Sequence, residues 1–199
     1  MLESLIQKLS KFDKVLVIGP QRSGTTISAL IIANELGYKF IDESQYGYCD
    51  KFKFLYAFSG DKIVVHNTTF FKKIYMLSTF FKEHNIAMVL IKRNINDIVK
   101  SFENSKKFTI GPFMDSTNLF SFCDEVMGGL NEHYDHDGKR PLAEVQYEHF
   151  YEHNKDFFVL NYEDLSEHHL FIKKDERRKT FKHLKQVDKD PYFLNKLYA

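Results

Sequence analysis

The stretch "KVLVIGPQRSGTTISALIIANELGYKFIDE", residues 14–43, is the most informative part of the sequence about the fold. It opens with a short apolar run, passes through a loop containing Gly19 and Gly24, and continues into a segment with apolar residues at spacings of three and four. A loop with this glycine spacing between a strand and a helix is the setting of a P-loop, whose backbone N–H groups wrap a phosphate at the positive end of the helix dipole. We therefore predict a phosphate site at residues 22–26.

This loop differs from that of ATP-hydrolysing proteins because Thr25 stands where their lysine is expected. That lysine normally reaches the β and γ phosphates of ATP, so its absence argues against an ATPase. Arg22 restores a cation from another position in the loop. Ser23, Thr25 and Thr26 offer hydroxyl donors around Gly24, whose missing side chain lets a ligand approach the backbone. The loop favours a phosphate ligand other than ATP.

Short apolar runs alternate with helical patterns along the chain. Because near-continuous apolar runs are typical of parallel strands buried on both faces, this order predicts an α/β fold with a three-layer, doubly wound parallel sheet. A stretch at about 105–155 interrupts the alternation, and we predict it to be a helical insertion over the carboxyl edge of the sheet within a single domain spanning residues 1–199. The predicted strands cover residues 14–19, 38–42, 62–66, 87–92 and 157–162.

Composition excludes several classes of function. With 43% hydrophobic and 28% charged residues the chain is typical of a soluble globular protein, and its net charge of +1 provides no basic field for nucleic acid. Cys49 and Cys123 suggest neither a disulfide framework nor a metal site. The N-terminal "MLESLIQKLSKFD" is typical of an amphipathic helix and not of a signal peptide, and no apolar run is long enough for a membrane span. We expect a cytoplasmic protein; the oligomeric state stays open.

A second segment, "RNINDIVKS", follows the strand predicted at residues 87–92 and places Arg93 and Ser101 eight positions apart. Together with "RSGTT", it resembles the two signatures of the sulfotransferase family, the second of which has the form R-[N/D]-P-x-D-x-x-x-S; here Ile95 replaces the proline. The resemblance implies a P-loop NTPase-like or sulfotransferase-like topology and the donor 3′-phosphoadenosine-5′-phosphosulfate (PAPS). It assigns Arg93 and Ser101 to the 3′ phosphate, and to the 5′ phosphosulfate it assigns Arg22, Ser23, Gly24, Thr25 and Thr26.

Other segments match the family in part. "YEDL", residues 162–165, is similar to a segment that many members carry after a late strand, although a strand end with Asp164 capping a helix explains it equally well. The glycine-rich loop that closes the donor site in cytosolic members is missing, since no glycine follows Gly138. A basic stretch could replace it or could simply be a solvated helix face; its cations include Lys173, Lys174, Arg177 and Arg178.

Sulfuryl transfer to a hydroxyl or amine acceptor requires a base and charge stabilisation on the leaving phosphate. His66 ends a predicted strand where the family's K-T-H motif presents its catalytic histidine, although Val64 and Val65 replace the lysine and threonine. Glu43, after the second strand, is the alternative base because heparan-type members are similar in using a glutamate there. The resemblance makes Arg22 the candidate for stabilising the leaving phosphate.

Two alternatives stay open, namely a small P-loop nucleoside or metabolite kinase and a non-catalytic nucleotide-binding protein of the same fold. The stretch "HFYEH", residues 149–153, matches a zinc-protease pattern, but its context is a packed helix and we expect no metal cofactor. The acceptor is undetermined: a small molecule, a carbohydrate or a peptide would suit the aromatic and mixed-charge insertion equally well.

Overall fold

Five parallel strands form the central sheet of the part of the chain that the computed structural model describes, which is residues 2–46, 51–68, 74, 77–103 and 140–171. Their order across the sheet is β2-β3-β1-β4-β5, which confirms the predicted doubly wound α/β architecture. Each strand lies within one residue of its predicted bounds. The strands are β1 (Lys14–Ile18), β2 (Lys39–Ile41), β3 (Ile63–Asn67), β4 (Ile86–Lys92) and β5 (Phe158–Asn161).

Helices cover both faces of this sheet. α2 has the bounds expected from its apolar periodicity, and none of the described helices is long and apolar enough to cross a membrane. The helices are α1 (Leu2–Leu9), α2 (Thr25–Leu36), α3 (Glu43–Tyr46), α4 (Lys51–Tyr56), α5 (Ser78–Glu83), α6 (Ile95–Glu103) and α7 (Leu142–His153), and a 3₁₀ helix spans Tyr162–Leu165.

The side chains of β1 show how the sheet separates two cores. Leu16 and Ile18 point into one apolar cluster and Val15 and Val17 into the other, and all four are fully buried. This alternation follows from the two-residue period of a strand, and burial of both faces explains why the central strands are continuous apolar runs.

Helix α2 is buried on most of its circumference and carries the phosphate loop at its N-terminus. Eight of its twelve residues are buried. Glycines flank it at both ends in left-handed conformations, Gly24 with φ 91° and Gly37 with φ 65°. The buried scaffold fixes the position and direction of the helix end toward which a phosphate would be drawn.

The carboxyl ends of the five parallel strands gather at one edge, where ligands of such sheets bind. Helix α7 lies in the predicted insertion and is fastened to this edge, because the buried Tyr147 hydroxyl donates a hydrogen bond to the Ile91 carbonyl (2.8 Å). Residues 105–139 of that insertion lie outside the described residues.

One local prediction was wrong. Asp164 does not cap a helix from outside but lies within the 3₁₀ helix, where Asn161 donates its side-chain amide to the Asp164 carboxylate (3.0 Å). The "YEDL" segment turns immediately after β5 instead of continuing to a cap residue.

Candidate functional site

The loop between β1 and α2 adopts the two left-handed conformations that a phosphate cradle needs. Arg22 has φ 67° and Gly24 has φ 91°. A non-glycine residue in this region is uncommon and is found where the surrounding structure enforces it, often at functional sites. Ser28 donates both its N–H (3.1 Å) and its hydroxyl (2.9 Å) to the Gly24 carbonyl, which closes the first turn of α2. The amides that precede Ser28 in this turn have no acceptor within the helix.

Ser23 provides the polar atom that best fits an anion. Its side chain is 0% exposed, and its hydroxyl oxygen has no partner at full hydrogen-bonding geometry among the described residues, although it is near enough to the Tyr147 hydroxyl to oppose the rise in the pKa of that phenol. A buried polar group without a partner costs about 1–3 kcal/mol, so such groups are rare away from functional positions. Together with the first-turn amides of α2, the Ser23 hydroxyl suits a phosphate oxygen.

The second predicted segment meets the phosphate loop. The Arg22 guanidinium donates to the Ser101 hydroxyl (Nε to Oγ, 3.2 Å) and to the Ser101 carbonyl (Nη2 to O, 3.5 Å). The Arg93 guanidinium donates to the Arg22 carbonyl (2.8 Å), while its buried Nε has no hydrogen-bond partner in the described part of the chain. Arg22, Arg93 and Ser101, predicted from two separate motifs, therefore lie side by side.

The two neighbouring guanidinium groups make this corner electropositive. Partial burial, and after it the positive charge of Arg93, lowers the pKa of Arg22 from its ordinary value. Both causes disfavour the charged form, and a bound anion would counter the second directly. Arginine forks match the geometry of phosphate oxygens, so the corner is suited to a phosphate group.

Tyr162 joins the two segments, which the sequence did not predict. Its ring lies under the Arg93 guanidinium, 4.4 Å from ring centroid to Cζ, at a cation–π distance. The same ring packs on Gly24 so closely that a Cβ built there would lie 2.2 Å from it. β4 and β5 pair Lys92 with Asn161, so the residues that follow, Arg93 and Tyr162, leave the sheet as neighbours.

Tyr147 is a second residue whose role the sequence did not reveal, since its helical spacing indicated only packing. Its hydroxyl accepts a hydrogen bond from the Arg93 N–H (3.2 Å) in addition to its own bond to Ile91, and burial raises the pKa of this phenol. A buried tyrosine hydroxyl normally requires a partner, and here it fixes the backbone from which the Arg93 side chain projects.

The structure places His66 beneath the phosphate loop. The imidazole is 2% exposed, and its Nε2 lies 2.8 Å from the Thr25 hydroxyl and 3.5 Å from the Thr26 hydroxyl. Its Nδ1 faces the Asp42 carboxylate at 3.6 Å. His66 thus contacts the loop that we predict to hold the donor.

Glu43, the alternative base, also makes hydrogen bonds within the protein. Its buried carboxylate accepts hydrogen bonds from the Thr68 N–H (2.8 Å) and the Thr68 hydroxyl (2.9 Å). The N–H of the preceding residue, Asp42, donates a hydrogen bond to the Gln45 side-chain oxygen (2.8 Å), which fixes the start of α3 as in a capping box. The carboxyl end of β2 is therefore held tightly beside the end of β3.

An open groove of about 480 Å³ extends from Arg93 between the ends of β4 and β5 and the helices α6 and α7. This volume falls in the range of small-molecule sites, and the groove offers both cations and carboxylates. Its lining consists of Lys92, Arg93, Asn94, Ile95, Asp97, Tyr147, Asn161 and Glu163.

The basic residues suggested as a closing element, Lys173, Lys174, Arg177 and Arg178, lie outside the described residues, as do Cys49 and Cys123.

Fold and site together define an α/β domain with a P-loop-like turn between β1 and α2, and the comparison with protein families assigns the domain to a family. The sulfotransferase domain matches residues 12–173, so the chain belongs to the sulfotransferase family and is a transferase by that membership. The matched range contains both motif segments and the "YEDL" segment. No curated protein matches the chain significantly.

Solved structures with similar chain paths are distant. A shikimate kinase from Bacteroides thetaiotaomicron is 11% identical, with a TM-score of 0.48 over 88% of this chain and 97% of its own. The shikimate kinase from Acinetobacter baumannii, solved with shikimate, is 12% identical, with a TM-score of 0.47 over 92% and 96%. Mouse sulfotransferase SULT7A1, solved with PAP, is 20% identical, with a TM-score of 0.47 over 96% of this chain and 62% of its own.

The contact between Gly24 and Tyr162 gives a test with a matched control. Gly24 and Gly37 both have positive φ, but a Cβ at Gly37 would meet nothing within 4 Å. We expect Gly37→Ala to lower the free energy of unfolding by about 1–2 kcal/mol through backbone strain alone. Gly24→Ala should lower it by a further ~1–3 kcal/mol through overpacking, measured by urea denaturation. Equal losses would show that Tyr162 does not press on the loop.

Proposed function

We propose that the protein is a PAPS-dependent sulfotransferase that moves a sulfuryl group to a hydroxyl or amine acceptor. The observation that carries this proposal is the meeting of Arg22, Arg93 and Ser101 beside the phosphate loop. Two adjacent phosphate-binding elements suit a nucleotide that is phosphorylated at both its 3′ and 5′ positions. Family membership supports the same activity.

In this proposal each of the two phosphate-binding segments holds a different phosphate of the donor. The loop amides with Ser23, Gly24, Thr25 and Thr26 hold the 5′ phosphosulfate, and Arg93 with Ser101 holds the 3′ phosphate. The groove beside Arg93 is large enough for part of the nucleoside or for an acceptor. The loop amides, hydroxyls and guanidinium groups supply the charge complementarity, so the proposal includes no metal.

The chemical step needs stabilisation of a leaving phosphate. The acceptor oxygen or nitrogen forms a bond to sulfur while the bond from sulfur to the bridging oxygen breaks, and that oxygen remains on the 5′ phosphate with its negative charge. We propose that Arg22, which lies against Ser101 in the present structure, turns to this charge when the donor binds, because it is the cation carried by the loop itself. The acceptor proton passes to a base.

His66 and Glu43 remain the two candidates for that base, and their surroundings differ. We infer that the main role of His66 is to position the donor loop, because its Nε2 contacts the Thr25 hydroxyl and its Nδ1 faces Asp42. In that role it orients a loop hydroxyl toward the phosphosulfate. Glu43 is held by Thr68 and would serve as a base only after releasing that residue.

A second candidate function is donor binding without turnover. The burial of both predicted bases favours it, since a general base has to come within hydrogen-bonding distance of the acceptor proton. The acceptor itself belongs to the proposal only as a class, namely a small molecule, a carbohydrate or a peptide with a hydroxyl or amine.

Donor choice tests the proposal. Because no lysine reaches a β–γ phosphate while two separate elements suit single phosphates, adenosine 3′,5′-bisphosphate should bind more tightly than ATP or AMP, with no requirement for magnesium. Isothermal titration calorimetry with and without Mg²⁺ measures this. Equal or tighter binding of magnesium–ATP would contradict the sulfotransferase proposal and support a kinase.

Arg93 provides a more specific test. Removing its charge-assisted hydrogen bond to the 3′ phosphate, in Arg93→Ala, should weaken bisphosphate binding by about 1.5–3 kcal/mol. Lys92→Ala is the matched control, because Lys92 is the neighbouring cation on the same groove. Adenosine 5′-phosphosulfate lacks the 3′ phosphate, so its affinity should change little in Arg93→Ala. An equal loss for both ligands would mean that Arg93 only supports the loop.

The His66 assignment is tested by a pair of substitutions. His66→Leu removes the contact to the Thr25 hydroxyl and should weaken bisphosphate binding by about 0.5–1.5 kcal/mol, the net value of one hydrogen bond. His66→Gln places an amide near the position of Nε2 and should lose less. Unchanged calorimetric affinity in His66→Leu, together with lost turnover on an identified acceptor, would instead make His66 the base.

A further inference from the structure

The outward face of α7 brings two imidazoles and a carboxylate together, away from the donor site. One ligand atom each from His149, Glu152 and His153 lies within 4.8 Å of the other two. The three residues occupy positions i, i+3 and i+4 of the helix, which share one face. Tyr147 and Phe150 are buried on another face of the same helix, so a metal ion could bind these three residues without disturbing the core contacts of α7.

The hydrogen bond of His153 prepares it for metal coordination. Its Nδ1 lies 2.9 Å from the His149 carbonyl oxygen. A carbonyl only accepts, so Nδ1 carries the hydrogen and Nε2 of the neutral ring carries the lone pair. Metal-binding histidines commonly donate their second ring nitrogen to a backbone carbonyl, which fixes both the tautomer and the direction of the ligand atom.

We propose that His149, Glu152 and His153 form a surface site for one divalent transition-metal ion of the Zn²⁺ or Cu²⁺ class. Imidazole nitrogen with a carboxylate oxygen suits these ions better than Mg²⁺ or Ca²⁺, which prefer oxygen ligands alone. Ligand atoms on a tetrahedral Zn²⁺ lie about 3.4 Å apart. Rotation of the half-exposed His149 and the exposed Glu152 side chains toward the fixed His153 ring would shorten the present spacing to that distance. In the described residues no fourth protein ligand joins the group, and water completes the coordination.

The site has a structural role and not a proteolytic one. All three ligands come from a single helix segment, so a bound ion cross-links one turn of α7. The same helix carries Tyr147, whose hydroxyl holds the Arg93 backbone. Metal binding therefore stabilises the element that supports Arg93, independently of whether the protein transfers sulfuryl groups.

The test uses the full chain without an affinity tag. Zn²⁺ should bind at one site in isothermal titration calorimetry and raise the melting temperature. His149→Ala and His153→Ala should each weaken binding at least ~10-fold, since even loss of an outer partner of a ligand costs about 10–100-fold. Cu²⁺ bound to the unaltered chain should show coupling to two nitrogens in electron paramagnetic resonance, a result that needs no variant to fold.

His84 is the matched control. Its Nδ1 contacts the Phe80 carbonyl (3.0 Å) and its ring stacks on residue 80 at 4.2 Å, which are the same contacts that His153 makes with residue 149. Phe80 offers no ligand, so His84→Ala should leave metal affinity unchanged. The proposal is overturned if the double variant His149→Ala/His153→Ala binds as tightly as the unaltered chain. It is equally overturned if His84→Ala loses as much affinity, or if the unaltered chain binds neither ion or shows no two-nitrogen coupling.

Discussion

The ring of Tyr162 lies between the glycine of the phosphate loop and the guanidinium of Arg93, and the geometry of the whole site depends on this packing. Gly24 is pressed against one part of the ring, while Arg93 lies 4.4 Å from its centroid. Any residue with a side chain at position 24 would displace Tyr162 and with it the support of Arg93. The glycine is thus required by its neighbour as well as by its positive φ.

This packing brings together the two motif segments, "RSGTT" and "RNINDIVKS". Arg93, supported by Tyr162 below and by Tyr147 at its backbone, reaches the Arg22 carbonyl, and Arg22 in turn reaches Ser101. Two guanidinium groups held this close repel one another, and the repulsion is relieved by an anion. The scaffold therefore holds two like charges together at the position where we propose that the nucleotide binds.

The sheet and α2 could be predicted from sequence because burial on both faces produces continuous apolar runs, as in β1 and β4, and because the glycines mark both ends of α2. The phosphate loop could be predicted because its glycine spacing lies within one short segment. Contacts between distant segments could not be predicted, since Tyr147 contacts Ile91 across 56 positions and nothing in their local sequence indicates that pairing. The role of Tyr162 required knowledge that β4 and β5 are neighbours, which periodicity does not supply.

We propose that the phosphate loop binds one phosphate of a nucleotide and that Arg93 and Ser101 bind the other. A crystal structure of the chain with adenosine 3′,5′-bisphosphate tests it most directly. We expect density for one phosphate at the backbone amides of residues 24–26 and the hydroxyls of Ser23, Thr25 and Thr26, because the Ser23 N–H already donates to the Pro20 carbonyl (3.1 Å), and for the other against Arg93 and Ser101. A nucleotide that leaves either element uncontacted, or that places both phosphates along the loop as a nucleoside diphosphate would, contradicts the account.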